Sequence, residues 1–464
     1  MRVFEQGYYG EIYKGEIIGM EFSKNKLLNL IKWRYFPFVI LTIGMFLIHT
    51  CFKLGWGDDT LFQTLKDDNS VLIDRYHGWS SRIIIEALLI IMVHLEPIWR
   101  VLDTAIIVLI ALSISKLFPS HNASITNWLI IGILFMYPFI HMSSAGWIAT
   151  TLNYLWPLAF GLFSMVPIKK ILFYERISWY EFIFYIPALI FAANQEQMCA
   201  ILFVVYFTFT IYLLIHKRIN MFMILQTSIC LMSIIFILST PGNVKRKNSE
   251  IQTWFPDYIN ISFIRKIEMG FSSSWFEFVM KPNVIFTVFC ILLLLCMMVT
   301  QKKKLYKWIA FIPLASSLIF GLFSNVLSEA FPAIQKINNS MTQYGTRVNF
   351  ASIITWIPDI ILAVVFISIL ISLYFIFINK KYAIVTIFII MLGFGSRMIM
   401  AFSPTIWVSG ERTFIFMYFS FIICSVILFQ VIFKSEISKF DTFTKSIISI
   451  LALLSFLNTL YLLG

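Results

Sequence analysis

Apolar runs recur along nearly the whole chain, and many reach or approach the roughly twenty residues that carry a helix across a bilayer. They fall near 35–52, 101–118, 127–142, 154–168, 179–193, 198–215, 221–239, 283–300, 308–327, 351–378, 382–400, 413–433 and 444–463. About thirteen such runs predict an all-α, polytopic transmembrane helix bundle. Composition agrees: 59% of residues are hydrophobic and 13% charged, against roughly 25% charged in a soluble domain.

The stretch "GWSSRIIIEALLIIMVHLEPIWR", 78–100, is also apolar, yet it carries Arg82, Glu86, His94, Glu96 and Arg100, and Pro97 interrupts it. Orientation decides its role. If it spanned, the clusters at 168–170, 216–218, 301–304 and 379–381 would all face outward, against the positive-inside rule. It is therefore expected to be an amphipathic juxtamembrane element on the outer surface. That leaves the N-terminus cytoplasmic and the C-terminus outside, in a multi-pass protein of the cell membrane. On this map residues 1–34 form a cytoplasmic N-terminal segment and 35–464 one transmembrane domain. Residues 53–100 form the first external loop, and 240–282 a large external loop.

The net charge of +12 mostly reports this topology, and no basic run is interleaved with aromatics in a soluble segment, so nucleic acid is not a partner. Cys51, Cys199, Cys230, Cys290, Cys296 and Cys424 lie in or beside apolar runs and form no CxxC pair, which argues against zinc or disulfide frameworks. No HExxH, Walker, GxSxG or EF-hand pattern is present.

Unusual residues gather in the loops assigned to the outside. Asp58 and Asp59, in "GDD", suit a general base or a cation ligand; equally, they are solvated charges or a cap for a helix beginning near Thr60. Arg82 has two readings, an i,i+4 pair with Glu86 or a phosphate fork. Arg246, Arg347, Arg397 and Arg412 stand at or near helix ends with few external acids nearby, which suggests an anion site. Asn153, Tyr154 and Trp156 in "LNYLWP" fit an aromatic belt or a sugar-stacking surface. Asn194 and Glu196 in "ANQEQ" form a polar hairpin or line a cavity, and His141 and Glu411 are further candidates for holding a sugar or acceptor. "TPGN" reads as a turn that Asn243 completes.

The order of first span, acidic "GDD" loop, juxtamembrane "WSSRIIIEALLIIMVHLEPIWR" and second span opening at "RVLDTAII" resembles the GT-C superfamily of polytopic membrane glycosyltransferases. "LNYLWP", "NQE" and "TPGNxxR" are similar to motifs of its bacterial wall-polysaccharide and O-antigen glucosyltransferase-like members. The resemblance implies transfer of a sugar from a polyprenyl-phosphate donor to a cell-envelope glycan or teichoic acid at the outer face, usually with inversion. Asp58 or Asp59 would be the base. Arg82, Arg246, Arg347, Arg397 and Arg412 would bind the donor phosphate, with His141, Asn153, Tyr154, Trp156, Asn194, Glu196, Asn243 and Glu411 around the sugar and acceptor. No metal is required; Mg2+ or Mn2+ would suit the acidic pair if one is used. Two rivals share the layout: a polymerase or ligase acting on lipid-linked glycan, and a transporter of such a glycan.

Overall fold

The computed structural model describes residues 32–65, 69–120, 122–346, 348–349, 351–434 and 438–463. Most of the 1–34 segment, and Arg347, lie outside the described residues. Helices account for nearly all regular structure. In chain order they are α1 (Phe36–Thr50), α2 (Asp58–Thr64), α3 (Asn69–Gly78), α4 (Ile83–Met92), α5 (Glu96–Leu117) and α6 (Ala123–Phe135). Next come α7 (Trp147–Leu172), α8 (Trp179–Ala192), α9 (Glu196–Ile215), α10 (Met221–Ser239), α11 (Pro241–Trp254), α12 (Phe263–Val279) and α13 (Val284–Thr300). The last third holds α14 (Lys304–Leu322), α15 (Ser324–Ala330), α16 (Pro332–Asn338), the short strand β1 (Gln343–Thr346), α17 (Ile353–Ile376), α18 (Lys380–Met400), α19 (Glu411–Lys434) and α20 (Ser438–Leu463).

Among the described residues nine helices are long and apolar enough to cross a membrane, or ten if α12 and α13, bent by 81°, make one span. The other three runs expected to span fold as the shorter apolar helices α1, α6 and α8. Asparagine fixes many of the boundaries. Asn122, Asn220, Asn283 and Asn379 each cap the helix that follows by accepting a backbone N–H in its first turn. Such a cap satisfies a donor the helix itself leaves unpaired.

The polar gaps gather at two opposite ends of the bundle. At one end, Asn127 donates to Arg34 O, Arg218 to Ile171 O, Gln301 to Phe375 O and Gln430 to Phe118 O. The clusters around 169–170, 216–218, 302–304 and 380–381 adjoin these contacts. At the other end the segments around 58, 82, 145, 196, 246, 346 and 412 meet. Helix α19 runs between the ends almost wholly buried, packed on α6, α13 and α18. Its sequence is apolar on every face, as a helix surrounded by others requires. An apolar cavity of about 640 Å3 opens between α1, α6 and α20, lined by Ile43, Trp128, Phe135 and Phe456.

The 78–100 stretch divides where the sequence suggested one element. Helix α4 has 10 residues, about 15 Å of rise, or half a hydrocarbon core. It buries Ile85, Leu89 and Ile90 and exposes Ile84 and Ile91. Residues Glu96–Arg100 instead form the first turns of α5, where Pro97 starts a helix rather than interrupting one. Proline suits that position because the first amides have no intrahelical acceptor. "TPGN" does close a turn, Asn243 N to Thr240 O at 3.3 Å, but it is the first turn of α11, which Pro241 opens.

Gly242 brings α11 against the end of α3. A Cβ there would lie 2.5 Å from Trp79 N and 2.6 Å from Tyr76 O, both backbone atoms that cannot rotate away. Gly242→Val is expected to cost about 1–3 kcal/mol through overpacking, read as a lower midpoint of thermal unfolding in detergent.

Candidate functional site

The end of the bundle that carries Asp58 is organised by its neighbour. Asp59 is fully buried, and its carboxylate accepts from Ala149 N at 2.7 Å and Ile148 N at 3.2 Å. It therefore caps α7 from a distance of ninety residues in sequence, while its own helix begins at Gly57 without a side-chain cap. Gly146, at φ +94°, turns the chain into α7, and a Cβ there would meet Asp59 Cγ at 2.6 Å. Asp58 N donates to Ala145 O at 2.9 Å, locking the two segments together. Burial lifts the Asp59 carboxyl to about 6, against the pull of those amides.

Asp58 faces the other way. Its residue is exposed, and its carboxylate makes no hydrogen bond or ion pair among the described residues. Local crowding still raises its proton affinity above the ordinary carboxylate range, opposed by Arg412 first and then by Arg75 and Arg82. Arg412 is half-buried, reaches Ser144 Oγ at 3.5 Å, and forms no ion pair within 4 Å among the described residues. This end thus holds one unpaired carboxylate in the field of one unpaired guanidinium.

The other arginines are matched. Arg82 binds Glu196 through Nε at 2.7 Å and Nη2 at 2.5 Å, and donates to Asn153 Oδ1 at 2.9 Å. Arg246 reaches the second Glu196 oxygen at 3.4 Å and Glu250 at 3.9 Å. One carboxylate therefore bridges two guanidiniums drawn from α11 and the start of α4. The expected Arg82–Glu86 pair does not form, because Glu86 binds Arg75 in two-point geometry at 2.7 and 2.9 Å. The scarcity of acids expected near the arginines is corrected by Glu86, Glu196 and Glu250.

Asn153 is delivered by a break in helix regularity. Residues Thr151–Leu155 form a π turn directly ahead of Pro157, with Trp156 N bonded to Thr151 O. Proline lacks an N–H and crowds the preceding turn, so the wider turn relieves it. Tyr154, on the same turn, places its ring 5.8 Å from the Arg82 guanidinium.

Several residues expected around a sugar or phosphate are spent on the scaffold. Asn194 accepts from Ile84 N and Ile85 N, both at 3.1 Å, and so caps α4. Asn243 donates to Ile237 O at 2.7 Å, closing the end of α10. Trp156 is buried, with Nε1 donating to Asp103 Oδ1 at 2.6 Å, while Asp103 Oδ2 meets His49 at 2.8 Å. Arg397 is buried, bonded to Thr413 and stacked 3.8 Å from the Phe414 ring centroid. These four side chains thus hold scaffold contacts, while Arg397 Nε and Asn243 Oδ1 stay without a hydrogen-bond partner among the described residues.

His141 and Glu411 do come together, with Nε2 3.3 Å from Oε2, and Glu277 joins them with ligand atoms mutually within 4.8 Å. Burial holds the imidazole at about 4, so it is neutral at pH 7. This group could hold a divalent cation. Arg75, Asp103 and Glu277 went unread in the sequence as members of these networks, and Glu86 was read only as a partner for Arg82. Glu277 lies in the 240–282 stretch read as an external loop, where a single acid carries no signal of its own.

Asp59→Ala removes the cap on α7 and is expected to cost about 1 kcal/mol, read by thermal unfolding. The raised carboxyl adds a pH signature. Its folded value near 6 exceeds the ordinary 3.8, so its stabilising contribution is full below 3.8 and is lost as pH rises through 6. Asp59→Asn, which cannot ionise but can still accept from the amides, should flatten this decline between pH 4 and 6. No protein-family model, curated protein or solved structure matches the chain.

Proposed function

We propose that the chain is a membrane glycosyltransferase that moves a sugar from a polyprenyl-phosphate donor to a cell-envelope glycan or teichoic acid, with Asp58 as the base. The observation that carries this reading is the unpaired Asp58 carboxylate in the field of Arg412, which forms no ion pair among the described residues, at the polar end of a bundle of apolar helices. The clusters of Lys and Arg at the opposite end favour that end as cytoplasmic, which turns Asp58 outward. A lipid-linked donor then reaches the site sideways from the outer leaflet.

In this mechanism Asp58 takes the proton from an acceptor hydroxyl. The oxygen attacks the anomeric carbon as the bond to the phosphate oxygen breaks, and the phosphate leaves with the bonding pair. Attack from the face opposite the leaving group inverts the anomeric centre. Arg412 supports the charge that grows on the departing phosphate; preorganised charge of this kind acts mainly in the transition state. Arg82 and Arg246 already share Glu196, so they position that surface and become phosphate ligands only by loosening from it. Asn153 and Tyr154 edge the same surface and suit contacts to sugar hydroxyls and a ring face. A raised Asp58 pKa gives a base whose activity climbs with pH above the ordinary carboxylate range.

One observation keeps the polymerase or ligase reading in play: α11, part of the large 240–282 segment, supplies Arg246 to this surface. Both readings predict transfer from lipid-linked sugar, and Asp58 separates them. Asp58→Asn should lower transfer of labelled sugar in reconstituted vesicles by about 10²–10⁴-fold, with Asp59→Asn active. Arg412→Ala should cost about 10²–10³-fold, mainly in kcat. Full activity in Asp58→Asn would exclude the base assignment and favour a polymerase or ligase.

A further inference from the structure

Three side chains from three separate elements converge next to the arginine surface. His141 comes from the connection between α6 and α7, Glu277 from the last turn of α12, and Glu411 from the start of α19. One ligand atom from each lies within 4.8 Å of the others. The geometry points to a site for one divalent transition-metal cation, held by His141, Glu277 and Glu411, with Zn2+ or Mn2+ the fitting ions. The site needs only these three residues and stands independently of the sugar-transfer reading.

The donor set selects the ion. Two carboxylates and an imidazole give one nitrogen and two oxygen ligands, a mixture that suits Zn2+ or Mn2+ better than the all-oxygen preference of Mg2+ or Ca2+. Three protein ligands leave positions for water or a substrate oxygen, the pattern of an open site rather than a closed structural one.

A second observation is independent of the carboxylates. Tyr137 Oη and His141 Nδ1 are both buried without a hydrogen-bond partner, and their rings lie 6.4 Å apart, each beside Tyr418. Orphaned polar atoms are uncommon in a packed interior and mark places where water or an ion completes the bonding. Here two of them border one cluster of ligating groups. Ordered waters around a bound cation would give both atoms partners.

The surrounding charges set the terms of binding. Lys281 Nζ sits 2.7 Å from Glu277 Oε2, on a side chain that is half exposed. It acts as a stand-in cation that a metal must displace, and it can swing to solvent. Arg397 and Arg412 lie nearby and also oppose a cation, Arg397 from its buried place against Phe414 and Arg412 from the residue next to Glu411. Two carboxylates therefore face one removable ammonium and two more distant guanidiniums.

The test counts metal on the purified full-length chain in detergent. After stripping with a chelator and dialysis against Zn2+ or Mn2+, wild type should retain one equivalent by elemental analysis. Added Mg2+ in excess should not displace it. His141→Ala and Glu411→Gln should each weaken binding by more than about tenfold. The Glu411 side chain is 48% exposed, so Glu411→Gln keeps the fold, checked by its unfolding midpoint without metal. Lys281→Met should bind more tightly than wild type. Co2+ loaded in place of Zn2+ should give visible absorption bands that vanish in Glu411→Gln. No retained metal in wild type, or an unchanged equivalent in both ligand variants, would overturn the assignment.

Discussion

A buried carboxylate on the amides of a helix start holds this end of the bundle together. Asp59 meets Ile148 N and Ala149 N where α7 begins, and the charge it carries is tolerable only because those donors point at it. Everything nearby inherits that docking. Asp58 is fixed at the surface by its own amide on Ala145 O. Gly146 is confined to a conformation without a side chain, and α7 is held so that its π turn carries Asn153 to Arg82. Two adjacent residues of identical chemistry thus have opposite fates, one consumed by architecture and one left for chemistry.

Much of the bundle was legible in the sequence, because lipid imposes long apolar helices. The runs at 198–215, 221–239, 382–400 and 413–433 correspond to α9, α10, α18 and α19 within a few residues. What was not legible were partners brought close by folding. Arg82 pairs with a glutamate 114 positions away rather than four, since the local helix begins only at Ile83. Trp156 looked like an interfacial aromatic, but Asp103 and His49 give its N–H a reason to be inside. Pro97 looked like an interruption and Pro241 like a turn residue, yet each sits where a helix can accept it.

Charge pairing also separates two kinds of arginine at this end. Arg75, Arg82 and Arg246 are neutralised by Glu86, Glu196 and Glu250. They tie α3, α4, α9 and α11 together through partly buried ion pairs. Arg412 keeps its charge open and leads the guanidiniums that act on Asp58, ahead of Arg75 and Arg82.

The wide turn ahead of Pro157 has one more implication. A single surplus residue in a helix rotates all that follows by about 100° relative to a regular spiral. In α7 this phase slip lets one helix serve two clients on different faces: Asn153 toward the guanidinium at the rim, and Trp156 toward the Asp103–His49 pair in the interior. Removing one residue from the turn would not merely shorten the helix. It would change the angle between Asn153 and Trp156 about the helix axis and leave one of the two networks without its member.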